Sequence, residues 1–154
     1  MSRIHASGSS ILCDPVYQAF ERRLKGFEGG VRGSTDVRFD EESVAEFTAN
    51  DPILCKACSA VITSVAAIIA VNGHHSHCFT NPADITYRIG CFSAADGCSV
   101  YGRPTTDFTW FEGFAWNFAF CAGCHLHLGW YYQSPEASFF GLILENLRER
   151  TRTH

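Results

Sequence analysis

Charge is scarce in this chain, and positive charge never concentrates. Only 18% of the 154 residues are charged, and 12 Lys and Arg stand against 16 Asp and Glu, for a net charge of −4. A nucleic-acid binder carries a basic stripe or patch, so that class is excluded. Long apolar runs are missing too. The longest aliphatic stretch, AVITSVAAIIAV at 60–71, is interrupted by polar residues and too short for a membrane span. The first ten residues, MSRIHASGSS, hold no apolar core of a secretory signal. The expectation is therefore a cytoplasmic protein with no membrane partner. In such a protein the eight cysteines point to metal binding and buried free thiols rather than a disulfide framework.

What the chain does have falls into two textures. Residues 1–50 are polar and Gly-rich, with GFEGGVRGSTD and the acidic cluster Asp40-Glu41-Glu42. They read as a largely disordered N-terminal extension. One helix is expected within them at 15–27, where Asp14 caps, Pro15 opens, and Val16, Ala19, Phe20 and Leu24 repeat at helical spacing. Asn-Asp-Pro at 50–52 marks a boundary. From there a single domain at 51–150 is expected, followed by a tail at 151–154. Its short apolar runs alternate with turn signals such as VNGHHSH, TNPAD and SAADG, which is the pattern of antiparallel strands. The run at 60–71 is β-branched and reads as buried strand. SPEASFFGLILENLRER reads as a short helix or a strand leading into one, capped near Ser134-Pro135.

Two Cys-x-x-Cys pairs, Cys55/Cys58 and Cys121/Cys124, are 63 residues or more apart in the chain. A two-residue spacer turns both sulfurs of a pair toward one ion. Four thiolates suit tetrahedral Zn²⁺ and close its coordination, so the expected cofactor is one structural zinc. A redox Cys-x-x-Cys would not need the second pair. Cys13, Cys78, Cys91 and Cys98 have no such pairing and read mostly as buried free thiols. The GHHSHC stretch, with His74, His75, His77 and Cys78, reads as a polar loop. His125 and His127 read as solvent-facing.

All three tryptophans, Trp110, Trp116 and Trp130, fall within 108–132 around the second cysteine pair. If Cys121–Cys124 forms the tip of a hairpin, counting outward sets Trp116 opposite Gly129, one position from Trp130. Gly129 then leaves room for a large neighbour, and Leu126, Leu128, Trp130 and Tyr132 share one face. Gly113 lets the loop TTDFTWFEGF fold back to bring in Trp110. Two readings fit this pattern: an aromatic cage fixed by the metal-bound hairpin, and three core tryptophans.

These motifs resemble a known family. CKAC at 55–58, TNP at 80–82, GRPTTDFTWFEGFAWNFAFCAGCHLHLGW and FFGLI together look like the thalidomide-binding (CULT) domain of cereblon-type proteins, closest to its small stand-alone bacterial versions. The resemblance covers about two-thirds of the chain, from about Ile53 to Arg150. It implies a β-tent of two antiparallel sheets pinned by a structural zinc. It also implies a tri-tryptophan pocket that holds cyclic imides: glutarimide, thalidomide-like or uracil-like compounds, or the C-terminal cyclic imide of a modified peptide. Residue by residue, Trp110, Trp116 and Trp130 match the cage, and Tyr132 matches the aromatic at its base, where cereblon has phenylalanine. Asn81 matches the asparagine of the loop that closes over the ligand. Phe108 matches the position whose carbonyl accepts the imide N–H, while Trp110 offers its backbone N–H; Thr109, between them, completes the ligand-binding segment. Vertebrate cereblon carries histidine at the position of Phe108, so only the backbone role carries over there. No Lon-like domain and no adaptor-binding helices accompany these motifs, and no ubiquitin-ligase adaptor is expected.

A catalytic set is absent from this reading. A methionine sulfoxide reductase B-like enzyme also carries two Cys-x-x-Cys pairs, but it would need Cys91 or Cys98 as a reactive thiol. A cage for a quaternary ammonium, with Asp107 and Glu112 flanking Trp110, is the other alternative.

Overall fold

The computed structural model describes residues 48–150. The helix expected at 15–27, the Gly-rich and acidic stretches, Cys13 and the tail at 151–154 lie outside the described residues.

Short β-branched and aromatic runs separated by Gly, Pro and Asn turns favour strands, and nine form among the described residues. They are β1 (Pro52–Cys55), β2 (Val61–Ser64), β3 (Ser76–Thr80), β4 (Thr86–Phe92), β5 (Cys98–Thr105), β6 (Ala115–Cys121), β7 (His127–Gln133), β8 (Ser138–Ile143) and β9 (Leu147–Glu149). They build two sheets whose pairings are all antiparallel, a small one in the order β2-β1-β9 and a large one in the order β3-β4-β8-β7-β6-β5. The expected mostly-β class with two antiparallel sheets is what the chain adopts.

The local outcomes differ in two places. The aliphatic stretch at 60–71 is strand only through Ser64. It then tightens into a 3-10 turn, Val65–Ala67, because Ala66 and Ile68 turn their N–H groups to Ala49 and Val65 carbonyls instead of a ladder. The C-terminal segment is not a helix from its start but a strand leading into a single 3-10 turn, the second of the two expectations. Phe139, Gly141 and Ile143 alternate with Phe140 and Leu142 along β8, and period 2 overrides helix propensity. A 3-10 turn at Leu144–Asn146 then delivers β9 to the small sheet.

The second difference moves the tryptophans. Trp116 lies opposite Tyr132, not opposite Gly129 as the hairpin count expects, and Trp130 lies opposite Phe118. The register shifts between Ala119 and Phe120, so that Leu128 is the extra residue of a bulge on β7. Gly129 makes the shift possible at φ 148°. A Cβ there would stand 2.1 Å from the Gly141 carbonyl oxygen, so the glycine accommodates the β8 backbone rather than a large side chain. The bulge also splits the residues expected on one face. Leu126 and Leu128 pack with Cys55, Ile62, Phe92 and Cys121 between the sheets. Trp130 and Tyr132 pack on the opposite face with Ile89, Phe111, Phe139 and Ile143.

Candidate functional site

The first site lies where the sheets meet. Cys55 ends β1 and Cys58 follows in its turn; Cys121 ends β6 and Cys124 follows in the β6–β7 turn. Each sheet therefore contributes one pair. The two turns repeat one hydrogen-bonding plan. Cys55 N–H donates to the Ala60 carbonyl and Ser59 N–H to the Cys55 carbonyl; Cys121 N–H donates to Leu126 and His125 N–H to Cys121, all at 2.8–2.9 Å. Ser59 and His125 take the same left-handed conformation, at φ 64° and 65°.

The four sulfurs lie within 4.8 Å of one another. Cys55 and Cys124 are 3.7 Å apart and Cys58 and Cys121 3.6 Å. A disulfide would need about 2.05 Å. A tetrahedron with metal–sulfur bonds of about 2.3 Å has edges of about 3.8 Å, so the donor set fits one metal ion. The thiols also act on one another. Burial pushes Cys121 up, but N–H groups of Cys124 and Gly123 and the neighbouring thiols hold it down at about 7. At Cys124 the Leu126 N–H lowers the pKa, yet desolvation and the adjacent thiols raise it to about 12. Cys58 likewise rises despite the Ala60 N–H. One thiolate forms readily and its charge opposes the next.

The remaining cysteines are mixed. Cys91 and Cys98 are free, and Cys91 is fully buried. Cys78 is disulfide-bonded, contrary to the free-thiol expectation. The GHHSHC stretch is not a polar loop throughout. His75 is buried, with Nδ1 3.1 Å from the Ile69 carbonyl. His77 belongs to β3 and stacks on Phe79. Among the described residues the four cysteines form the single cluster able to hold a metal.

The second site is aromatic. Phe111, almost fully buried, pins the loop 106–114 to the large sheet through edge contacts with Phe79, Tyr132 and Phe139 at 4.8–5.3 Å. The loop then turns at Gly113 (φ 87°), as expected. Trp110 is thereby set edge-on to Trp130, centroids 4.9 Å apart, and stacked on Phe79 at 5.0 Å. Tyr87 closes against both indoles. Trp116 stands on the same sheet face but makes its ring contact with Phe118. Its Nε1 donates to the Asp107 carbonyl at 2.8 Å. Tyr132 lies beneath, 1% exposed and stacked on Phe139, and burial raises its pKa.

The segment before Trp110 is tightly wound. Phe108 is left-handed at φ 57° with its side chain 63% exposed. Thr105 Oγ1 accepts the Asp107 N–H, Thr106 O accepts the Thr109 N–H, and Thr109 Oγ1 donates to Phe111 O. Among the described residues no hydrogen bond uses the Phe108 carbonyl or the Trp110 N–H. Asn81 opens the β3–β4 turn, and its Oδ1 accepts the Ala83 and Ile85 N–H groups.

Three members escaped the sequence reading. Phe79 and Tyr87 face each other across β3–β4; counting outward from the NPADI turn would have found them. His127 was read as solvent-facing but is half-buried, with its ring against Phe118, Phe120 and Trp130. The Leu128 bulge puts it on the Trp130 face. Burial lowers its pKa despite the Gly129 carbonyl at 3.0 Å.

Fold and site together define an all-β domain of two sheets joined at a four-cysteine cluster able to hold a metal ion, with an aromatic cluster on the far face of the larger sheet. No family model matches the chain. Curated relatives do: the protein cereblon of Drosophila virilis is 27% identical over 117 residues, covering 65% of this chain and 18% of that protein. That of Drosophila erecta is 28% identical over 114 residues (66% and 19%), and that of Xenopus tropicalis 35% over 78 residues (47% and 17%). These similarities support a cereblon-type domain in this chain. It spans less than a fifth of the length of the curated relatives it matches.

Proposed function

We propose that this domain is a zinc-stabilised, non-enzymatic binding module that holds a neutral cyclic imide against Trp110, Trp116 and Trp130. In this reading Cys55, Cys58, Cys121 and Cys124 hold one Zn²⁺. Residues 51–150 form the binding domain and 1–50 an extension. The observation that carries the reading is the pair of unused backbone groups, the Phe108 carbonyl and the Trp110 N–H, beside a wall of indoles. Together they offer one acceptor and one donor two residues apart, which is what an imide N–H and its neighbouring carbonyl require. Thr109 spaces them. Asn81 Nδ2 is left to donate at the rim, because Oδ1 is committed to its turn. Tyr132 is a floor, not a contact at the mouth.

The reductase-like alternative asks for a reactive thiol. Burial pushes Cys91 up to about 12, and burial with the nearby Cys121 and Cys55 thiols does the same for Cys98. Both environments oppose thiolate formation, the reverse of a catalytic cysteine.

The test is a titration read by tryptophan fluorescence. Glutarimide is expected to bind and N-methylglutarimide not to, since the methyl removes the donor and adds a clash. Trp130→Ala is expected to weaken glutarimide by about tenfold or more with metal retained; Phe108→Ala should cost less because its carbonyl remains. Equal binding of the N-methyl compound, or preference for a quaternary amine that weakens with salt, would assign the cage to another ligand.

A further inference from the structure

We infer that Trp116 is a positioning residue as well as a wall: its indole N–H fixes the Asp107 carbonyl and thereby sets the direction of the Phe108 carbonyl. This rests on the imide-binding reading of the site. Trp116 is the second residue of β6. It stands opposite Thr105, the last residue of β5, after a register shift that begins at Tyr101. The chain leaves the sheet at that point, and the Trp116 side chain follows it out. Its Nε1 meets Asp107, two residues further on, at 2.8 Å. The same short segment is tied on its other side by the Thr105 hydroxyl to Asp107 N–H, at 3.1 Å. Asp107 is therefore held at both its N–H and its carbonyl.

Phe108 follows directly, in a left-handed conformation that a non-glycine residue adopts only when its surroundings impose it. No burial of its ring explains this conformation, since the side chain is 63% exposed. The Thr109 N–H to Thr106 carbonyl bond, 3.2 Å long, closes the turn around it. The indole bond to the Asp107 carbonyl and the Thr105 hydroxyl bond to its N–H thus both tie the residue before Phe108 to the sheet, and the indole bond is the one of the two that fixes the carbonyl leading into Phe108. Among the described residues Trp116 makes no ring contact with Trp110 or Trp130, whereas those two touch each other. Trp116 reaches the ligand-facing segment through its N–H instead.

The test separates the clamp from the wall. Trp116→Phe keeps an aromatic ring on the sheet and loses only the N–H and part of the area. In the ligand-free protein, hydrogen exchange at the Asp107 and Thr109 amides is expected to speed up by about three- to tenfold, the equivalent of one net hydrogen bond. Glutarimide affinity should fall by a similar factor, while cyclohexanone, a ring of the same size with no N–H, should change less than about twofold. Thr105→Val, which removes the other tie, should shift the same readouts in the same direction and serves if Trp116→Phe does not fold. Unchanged amide exchange, or equal losses for both ligands, would leave Trp116 a wall and overturn the inference. Faster exchange in a protein whose wild type binds no glutarimide would uphold the clamp and sink the imide reading.

Discussion

Gly97 links the small sheet to the turn that follows β6. It lies between β4 and β5, donates to the Ile62 carbonyl at 3.0 Å, and accepts from Ala122 at 2.9 Å. A Cβ there would stand 2.1 Å from the Val61 carbonyl oxygen and 2.6 Å from Ile62 Cα. Those are backbone atoms with no rotamer to give. Gly97→Ala is therefore expected to lower stability by about 3 kcal/mol, at the upper end for overpacking, measured by urea denaturation; a loss below about 1 kcal/mol would mean the sheets can part locally. His127 allows a second residue-scale prediction. Burial lowers its pKa, so the folded state disfavours the imidazolium. The unfolded chain takes up the proton first as pH falls below the ordinary histidine value of 6.5. Stability is then lost from that pH downward, through the folded pKa. The wild type should lose stability over this window relative to His127→Gln; parallel curves would place the acid sensitivity elsewhere. Neither residue was legible beforehand. A glycine in SAADG reads as turn, and only the packing of a distant strand reveals that no other residue fits.

The element that the sequence foretold best is the metal hairpin, because a Cys-x-x-Cys spacing is itself a statement of local geometry. Cys121–Cys124 caps β6–β7 as the spacing requires. What spacing could not foretell was the register below the tip. A bulge adds one residue to one strand, and nothing in HLHLGW marks Leu128 over Leu126 as the extra one; the reason is the β8 backbone pressing on Gly129. The error propagated by parity, so His127 changed from solvent to the Trp130 face. The C-terminal segment stayed open between helix and strand for a related reason: FFGLI satisfies either period until β7 and β4 supply partners on both sides. The paired turns make an element-scale prediction. Ser59 and His125 hold left-handed conformations at equivalent positions, where β-carbon crowding costs about 1 kcal/mol or slightly more. His125 is exposed, so His125→Gly removes that strain and loses little packing. Its own greater unfolded freedom offsets part of the gain. A net stabilisation of about 0.5 kcal/mol is expected by chemical denaturation of the metal-loaded protein, with unchanged metal content. A loss of similar size would mean that the imidazole contributes to the turn.

Across the whole molecule, the two sheets share a modest apolar layer and four sulfurs. The small sheet has only three short strands, of four, four and three residues, too little to stand alone. Its β1 carries Cys55, and the second cysteine pair rides on the large sheet, so an ion held by all four sulfurs would join metal binding to sheet docking. Structural zinc contributes on the order of 10 kcal/mol in small zinc domains, as much as the entire net stability of a typical domain, about 5–15 kcal/mol. Losing it should unfold the protein rather than loosen it. Cys121→Ser is the sharpest variant, because Cys121 is fully buried between the sheets and a serine hydroxyl would be both a poor ligand and a buried polar group. It is expected to purify without metal and to show no cooperative thermal transition. Cys98→Ser is the control. Cys98 faces Cys121 across β5–β6 but is outside the four-sulfur group, so this variant should keep one metal per chain by elemental analysis. Chelation of the wild type should reproduce the Cys121→Ser melt. A folded wild type with no bound metal, or a Cys98→Ser protein that loses it, would show that something other than these four sulfurs holds the sheets together.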